Sequence, residues 1–282
     1  ASAATHHLVW TIALVSVLVL PVVSLVGPAW TVEIPAAQRP VPVTPVATSV
    51  DAPLEIANGP ASPVIALESR PAPPRAANVS WSAAFIIFYC AGAIGLLMYL
   101  LAQQWNVRRF ARQATLVQDA AWMRLLDECA DALGIRRPVR LLRSRTHGVP
   151  LAFGTRRPSI VIPDIADQWT DDRRRAVLLH ELSHVARLDC LTQSLAFGAC
   201  AIYWFHPALW WVAGRLRVER ELACDDRVIA AGSLPRDYAG HLLEIAYSLG
   251  GRAAPALAVT MARPRQLEGR MLAALDDRRN RT

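Results

Sequence analysis

Residues 190–214 form a hydrophobic stretch with no Asp, Glu or Arg, set between two polar motifs, HELSH at 180–184 and ELACD at 221–225. As one helix it would be long enough to cross the ~30 Å hydrocarbon layer of a bilayer. The flanking motifs argue against that path. On a helix, residues four apart share a face, so His180 and His184 can aim ring nitrogens at one metal ion with Glu181 beside them. A hydrolytic zinc site takes three protein ligands and keeps one position open, and Glu221 can supply the third. A straight crossing would leave the two motifs on opposite sides of the membrane, so a shared ion requires the chain to turn back. His206-Pro207 interrupts the stretch, and proline cannot continue a preceding helix without losing a hydrogen bond. Tyr203, Trp204, Trp210 and Trp211 flank the break, and such aromatics favour the membrane interface. The expectation is a membrane-associated hairpin whose second arm starts at Pro207 and runs to Asp226.

In the expected site, His180, His184 and Glu221 are the Zn2+ ligands and Glu181 is the catalytic base. Water on such a zinc has a pKa of about 7, so Glu181 would take its proton and return it to the leaving amine. Asp225 is expected to accept the other ring N–H of His180 and fix its tautomer. Glu219 is the rival third ligand; it lies on a different helical face from Glu221, and only Glu221 is followed by Asp four residues on. Cys224 reads as a small buried hydrophobe, because it does not share the face of Glu221 and Asp225. No separate cofactor-binding residues stand out.

The rest of the chain reads as a membrane protein with a water-exposed part, since 53% of its 282 residues are hydrophobic. Leu8 to Gly27 is free of charged residues and is expected to be a transmembrane helix (domain 1–27). An extracytoplasmic Pro-rich loop, 28–81, follows, with ten prolines between Pro35 and Pro74. Ala83 to Ala102 is a second uncharged span (transmembrane helix 82–102), followed at once by Arg108, Arg109 and Arg112. The positive-inside rule then places the peptidase domain, 103–282, in the cytoplasm. Its 27 arginines against 19 acids point to the lipid bilayer as a partner; without a DNA-reading motif, no direct nucleic acid is expected. The five cysteines show no CxxC pairing and read as free thiols. An amphipathic helix is expected over Thr115–Leu133, ended by Gly134, then strands at Val139–Leu142 and Ser159–Ile162 joined by a turn-rich Gly148–Pro158. Thr170 is the expected N-cap of the HELSH helix. An amphipathic stretch, Tyr238–Leu249, and a basic segment, Arg263–Arg281, close the chain, with Glu244 read as solvated.

With these residues assembled, the chain resembles the BlaR/MecR-type membrane metallopeptidases, whose best-known members sense β-lactam antibiotics. The resemblance rests on RRPVRLL at 136–142, VPLAFGTRRPSIVIPD at 149–164, AVLLHELSHVARLD at 176–189, FHPALWW at 205–211 and ERELACDD at 219–226. It implies a gluzincin-type fold facing the cytoplasm of a bacterial inner membrane, with ligands at His180, His184 and Glu221 and Glu181 as base. It also implies a protein substrate, either a transcriptional repressor or the chain itself, and further hydrophobic segments flanking this stretch. The chain has no lysine and so no SxxK motif, and the resemblance extends to the peptidase, not to the antibiotic sensor. The expected fold class is an α+β membrane protein: transmembrane helices plus a mainly helical, gluzincin-like zinc peptidase domain with a small β-sheet and the hairpin at 190–214. The expected function is a multi-pass, membrane-bound zinc endopeptidase in signal transduction. Two alternatives stand beside it, a membrane protein quality-control peptidase and a non-catalytic, zinc-stabilised membrane receptor.

Overall fold

The computed structural model describes residues 2–26, 80–145, 149–250, 264–276, 278, 279 and 281. Apart from Ser80 and Trp81, the expected Pro-rich loop lies outside these residues.

Among the described residues, two single helices are long and apolar enough to cross a membrane, α1 (Ala3–Val26) and α2 (Trp81–Gln113). α2 runs eleven residues past the expected end at Ala102, where seven of the eleven residues are Gln, Arg or Ala, which are good helix formers. α1 contains Pro21, which has no N–H to give to the carbonyl of Val17 four residues back. In an apolar setting that carbonyl needs another donor, and the Tyr203 hydroxyl supplies it at 3.1 Å.

A four-stranded mixed sheet follows, in the order β1-β2-β4-β3. β1 (Thr115–Leu116) pairs antiparallel with β2 (Arg140–Ser144), β2 is parallel to β4 (Ser159–Pro163), and β3 (Leu151–Phe153) is antiparallel to β4. This corrects two expectations. The amphipathic helix does not begin at Thr115: α3 is Ala120–Ala132, because the Asp119 carboxylate caps it by accepting from the N–H groups of Ala121 and Trp122, while Thr115 and Leu116 pair with β2. The Gly148–Pro158 connection is also not all turn, since it holds β3. Gly134 does follow the end of α3, in the left-handed region that glycine tolerates.

β4 is buried along its whole length, and its Ile160 and Ile162 meet Leu141, Trp122, Leu126, Leu178, Leu179 and Leu182 in the main core. The HELSH helix, α4 (Asp171–Ala186), is capped by the Thr170 hydroxyl, as expected. It is buried on nearly every face from Ala176 to Val185, which holds the motif rigidly. The hydrophobic stretch then makes two helices, α5 (Asp189–Ile202) and α6 (Pro207–Ala230), packed on each other and joined by a turn at 203–206. The break falls at His206-Pro207, and the second arm runs four residues beyond the expected Asp226. α6 returns to pack on α4.

α1 lies against both arms of the hairpin, with Trp10 edge-on to Trp211 at 5.4 Å. α2 docks on α5: the Tyr89 hydroxyl donates to the Ile202 carbonyl at 2.7 Å, and Trp204 Nε1 donates to the Tyr89 carbonyl at 3.3 Å. Gly92 makes this approach feasible, because a Cβ there would fall 2.5 Å from the Trp204 ring. The chain ends in α7 (Pro235–Gly250), three residues longer at its start than expected, and α8 (Pro264–Leu275), which packs on α6 and α7. Glu244 is exposed and pairs with Arg173 at 2.5 Å.

Candidate metal centre

Helical spacing puts His180 and His184 on one face of α4, their ring centroids 4.9 Å apart. The hairpin brings Glu221 of α6 to the same place, so that one donor atom from each of His180, His184 and Glu221 lies within 4.8 Å of the others. His180 Nε2 and Glu221 Oε2 are 3.7 Å apart, both buried, and neither has a hydrogen-bond partner. Leaving two such atoms unpaired in a protein interior is costly. A divalent cation between them removes that cost, and two imidazoles with a carboxylate suit zinc. The other Glu221 oxygen, Oε1, is held by Arg220 through Nε at 3.2 Å and Nη2 at 2.9 Å, which turns Oε2 toward the histidines.

The far side of the His180 ring is tied down. Its Nδ1 lies 3.2 Å from Asp225 Oδ1 and 3.0 Å from the Tyr238 hydroxyl, which itself donates to Asp225 Oδ1 at 2.5 Å. Arg270 of α8 grips both oxygens of Asp225 at 2.7 Å and reaches within 3.5 Å of Glu221 Oε2. Burial alone would raise the Asp225 carboxyl; the Arg270 guanidinium and His180 overcome this and hold it well below the usual carboxylate range. For His180, burial pulls the pKa down, yet the neighbouring Asp225 and Glu221 carboxylates push it up to about 9 in the metal-free site.

His184 is held by a different carboxylate. α4 ends at Ala186, and Leu188 adopts φ 58, a left-handed conformation that a leucine takes at a steric cost. This sharp turn folds Asp189 back until its Oδ2 meets His184 Nδ1 at 2.8 Å. Asp189 was not among the residues singled out from sequence; its signal is an acid directly after the HELSH helix. Tyr238 and Arg270 were missed as well, one in a stretch read only for packing and the other in a segment read only as basic.

Cys224 is buried, as expected, although it is closer to the site than its helical face implied: Sγ is 3.3 Å from His184 Nδ1 and 3.7 Å from Asp189 Oδ2. His184, Asp189 and Cys224 therefore form a second group of potential ligands. Burial and the neighbouring Asp189 push the Cys224 thiol well above its ordinary pKa, which keeps it protonated, whereas metals bind the thiolate. Glu219 lies elsewhere, with Arg215 at 2.9 Å and His6 at 3.7 Å.

Glu181 is buried beside His180 and lines a cleft with Val149, Pro150, Tyr238, His241, Leu242 and Arg270. The cleft is thus lined by a carboxylate and two imidazoles, His180 and His241, beside apolar side chains. On the other flank of α4, a smaller depression joins His184 to Ala152, Phe153 and Gly154 at the edge strand β3.

Residues 1–274 match the sequence model of the BlaR1 peptidase M56 family. The chain belongs to this family. It is 27% identical over 146 residues to the regulatory protein BlaR1 of Bacillus licheniformis, covering 52% of this chain and 24% of that protein. It is 32% identical over 81 residues to the methicillin resistance protein MecR1 of Staphylococcus aureus, covering 28% of this chain and 14% of that protein. This M56 chain therefore aligns with only a minor part of each of these relatives.

Proposed function

We propose that this M56 chain is a membrane-bound zinc endopeptidase of gluzincin type that cleaves a cytoplasmic or membrane-adjacent protein. The observation that carries the reading is the meeting of His180 Nε2 and Glu221 Oε2, both buried without a hydrogen bond and beside His184. These three side chains would hold the zinc. When bound, the ion supplies Lewis acidity toward a peptide carbonyl and toward water. Glu181, in the lining of the cleft, takes a proton from water and delivers it to the leaving amine. Asp225 and Tyr238 keep the proton of His180 on Nδ1, so that Nε2 is free to ligate, and Asp189 does the same for His184. The apolar walls at Val149, Leu242 and Ile245 exclude water and receive an apolar side chain, while β3 offers an edge to an extended substrate backbone.

The membrane arrangement follows the same reading. Residues 1–27 and 82–102 cross the inner membrane, 28–81 lies outside, and the peptidase domain, 103–282, faces the cytoplasm, where the arginines after Ala102 favour it. The hairpin dips in from the cytoplasmic side, and Tyr203 at its tip meets α1 at Val17, nine residues short of that helix's end. At about 1.5 Å per residue the tip lies roughly 14 Å short of that end, which favours a hairpin that enters the bilayer without crossing it. A role in signal transduction, through cleavage of a repressor or of the chain itself, is favoured by the likeness to a protein named as regulatory.

The test is the zinc content of the purified, detergent-solubilised chain beside Glu221→Ala and Glu219→Ala. One zinc per chain, lost with Glu221 and kept without Glu219, is expected. A metal-replete wild type without zinc overturns the reading in favour of a non-catalytic membrane receptor.

A further inference from the structure

We propose that His7, on the apolar helix α1, is a positioning residue for His184 and acts through Asp189. The proposal rests on the zinc-peptidase reading above. His7 is only 6% exposed, and its Nε2 has no hydrogen-bond partner. That atom points at Asp189, 3.8 Å from Oδ1, while the other oxygen of the same carboxylate sits 2.8 Å from His184 Nδ1. Asp189 therefore stands between α1 and a metal ligand. Arg187 Nε also approaches Oδ1, at 3.4 Å, so two cationic or donor groups compete for one oxygen.

The 3.8 Å gap is about 1 Å longer than a hydrogen bond, so a small shift of α1 toward Asp189 makes the contact and a small shift away abolishes it. Asp189 has little freedom to follow passively, because the left-handed turn at Leu188 fixes the start of α5. α1 is also registered against the hairpin at a second level, where the Val17 carbonyl, left free by Pro21, accepts from Tyr203. The two contacts lie ten residues apart on α1, about 15 Å along its axis. Both pairs increase together in residue number, so α1 runs parallel to α5, and its N-terminal end is the end that meets the metal centre. Motion of α1 thus changes the hydrogen bond that sets the His184 tautomer, and with it the hold on zinc.

The experiment uses the whole chain in detergent and zinc alone as probe, titrated against a chromophoric chelator, with the visible spectrum of the cobalt-loaded protein as a second readout. Asp189→Asn should weaken zinc roughly 10- to 100-fold, and His7→Leu roughly 3- to 10-fold with a displaced cobalt band. His7→Gln, which restores a donor, should stay within about twofold of wild type and covers the case in which His7→Leu does not fold. In the Asp189→Asn background, His7→Leu should add nothing, because the two act through one carboxylate. Wild-type affinity and spectrum in His7→Leu, or full additivity with Asp189→Asn, overturns the proposal alone. Failure of the wild type to bind zinc overturns the peptidase reading beneath it.

Discussion

The two histidines of the HELSH motif sit one helical turn apart and are anchored by different carboxylates, Asp225 for His180 and Asp189 for His184. His180 is held by Asp225 of α6 together with Tyr238 of α7 and Arg270 of α8. His184 is held from the hairpin, by Asp189 at the start of α5 and Cys224 of α6, with His7 of α1 behind them. The first anchor is a closed network of short bonds among buried groups. The second is looser, with contacts at 3.3–3.8 Å around the single 2.8 Å bond. On the zinc-peptidase reading proposed above, His180 has a closed set of partners and His184 borders the apolar helix α1, so a disturbance of α1 is expected to reach His184 first.

The largest effect should come from leaving both anchors intact and removing the base. Glu181→Ala is expected to keep one zinc per chain and lose cleavage of any peptide substrate, whereas His180→Ala and His184→Ala should lose the zinc itself. Proteolysis surviving in Glu181→Ala would sink the mechanism and leave the two anchors purely structural.

Breaking the anchors one at a time sharpens the contrast. Asp225→Asn and Asp189→Asn should each weaken zinc roughly 10- to 100-fold. Only Asp225→Asn should also unfold the metal-free chain easily, at a cost of about 3–5 kcal/mol, because it leaves Arg270 buried without its carboxylate. Asp189→Asn should cost less, since its Arg187 contact is 3.4 Å against two contacts of 2.7 Å for Arg270. Equal thermal midpoints for the two metal-free variants would remove the distinction between a closed and a loose anchor.

The smallest effect is a dependence on pH that follows from His180. In the metal-free chain the His180 pKa is raised from 6.5 to about 9, so its partners contribute stability that is fully present below 6.5 and is lost as the pH rises through about 9. Zinc on Nε2 replaces the proton, and the loaded chain should lack this fall. Thermal midpoints of loaded and metal-free protein across about pH 6 to 10 check it, and a flat metal-free profile contradicts it.

Much of the fold was legible residue by residue. Thr170 before two aspartates and an apolar run marked the start of α4, and Gly134 marked the end of α3. The start of α3 was misread because Leu116 fits the helical period, while the capping carboxylate of Asp119 and pairing with Arg143 and Leu142 decided against it. β3 escaped notice because three residues are too few to show an alternating pattern.

By itself the sequence determined what lies within a turn of helix: the shared face of His180 and His184, the spacing from Glu221 to Asp225, and the proline that breaks the apolar stretch at residue 207. Tertiary structure alone decided what crosses the chain, bringing Arg270 to Asp225 over 45 residues and Tyr203 to Val17 over 186. The division has a physical cause. Helical period and steric breaks are set by neighbouring residues, whereas the partner of a buried carboxylate or a freed carbonyl depends on which distant segment the folded core brings within about 3 Å.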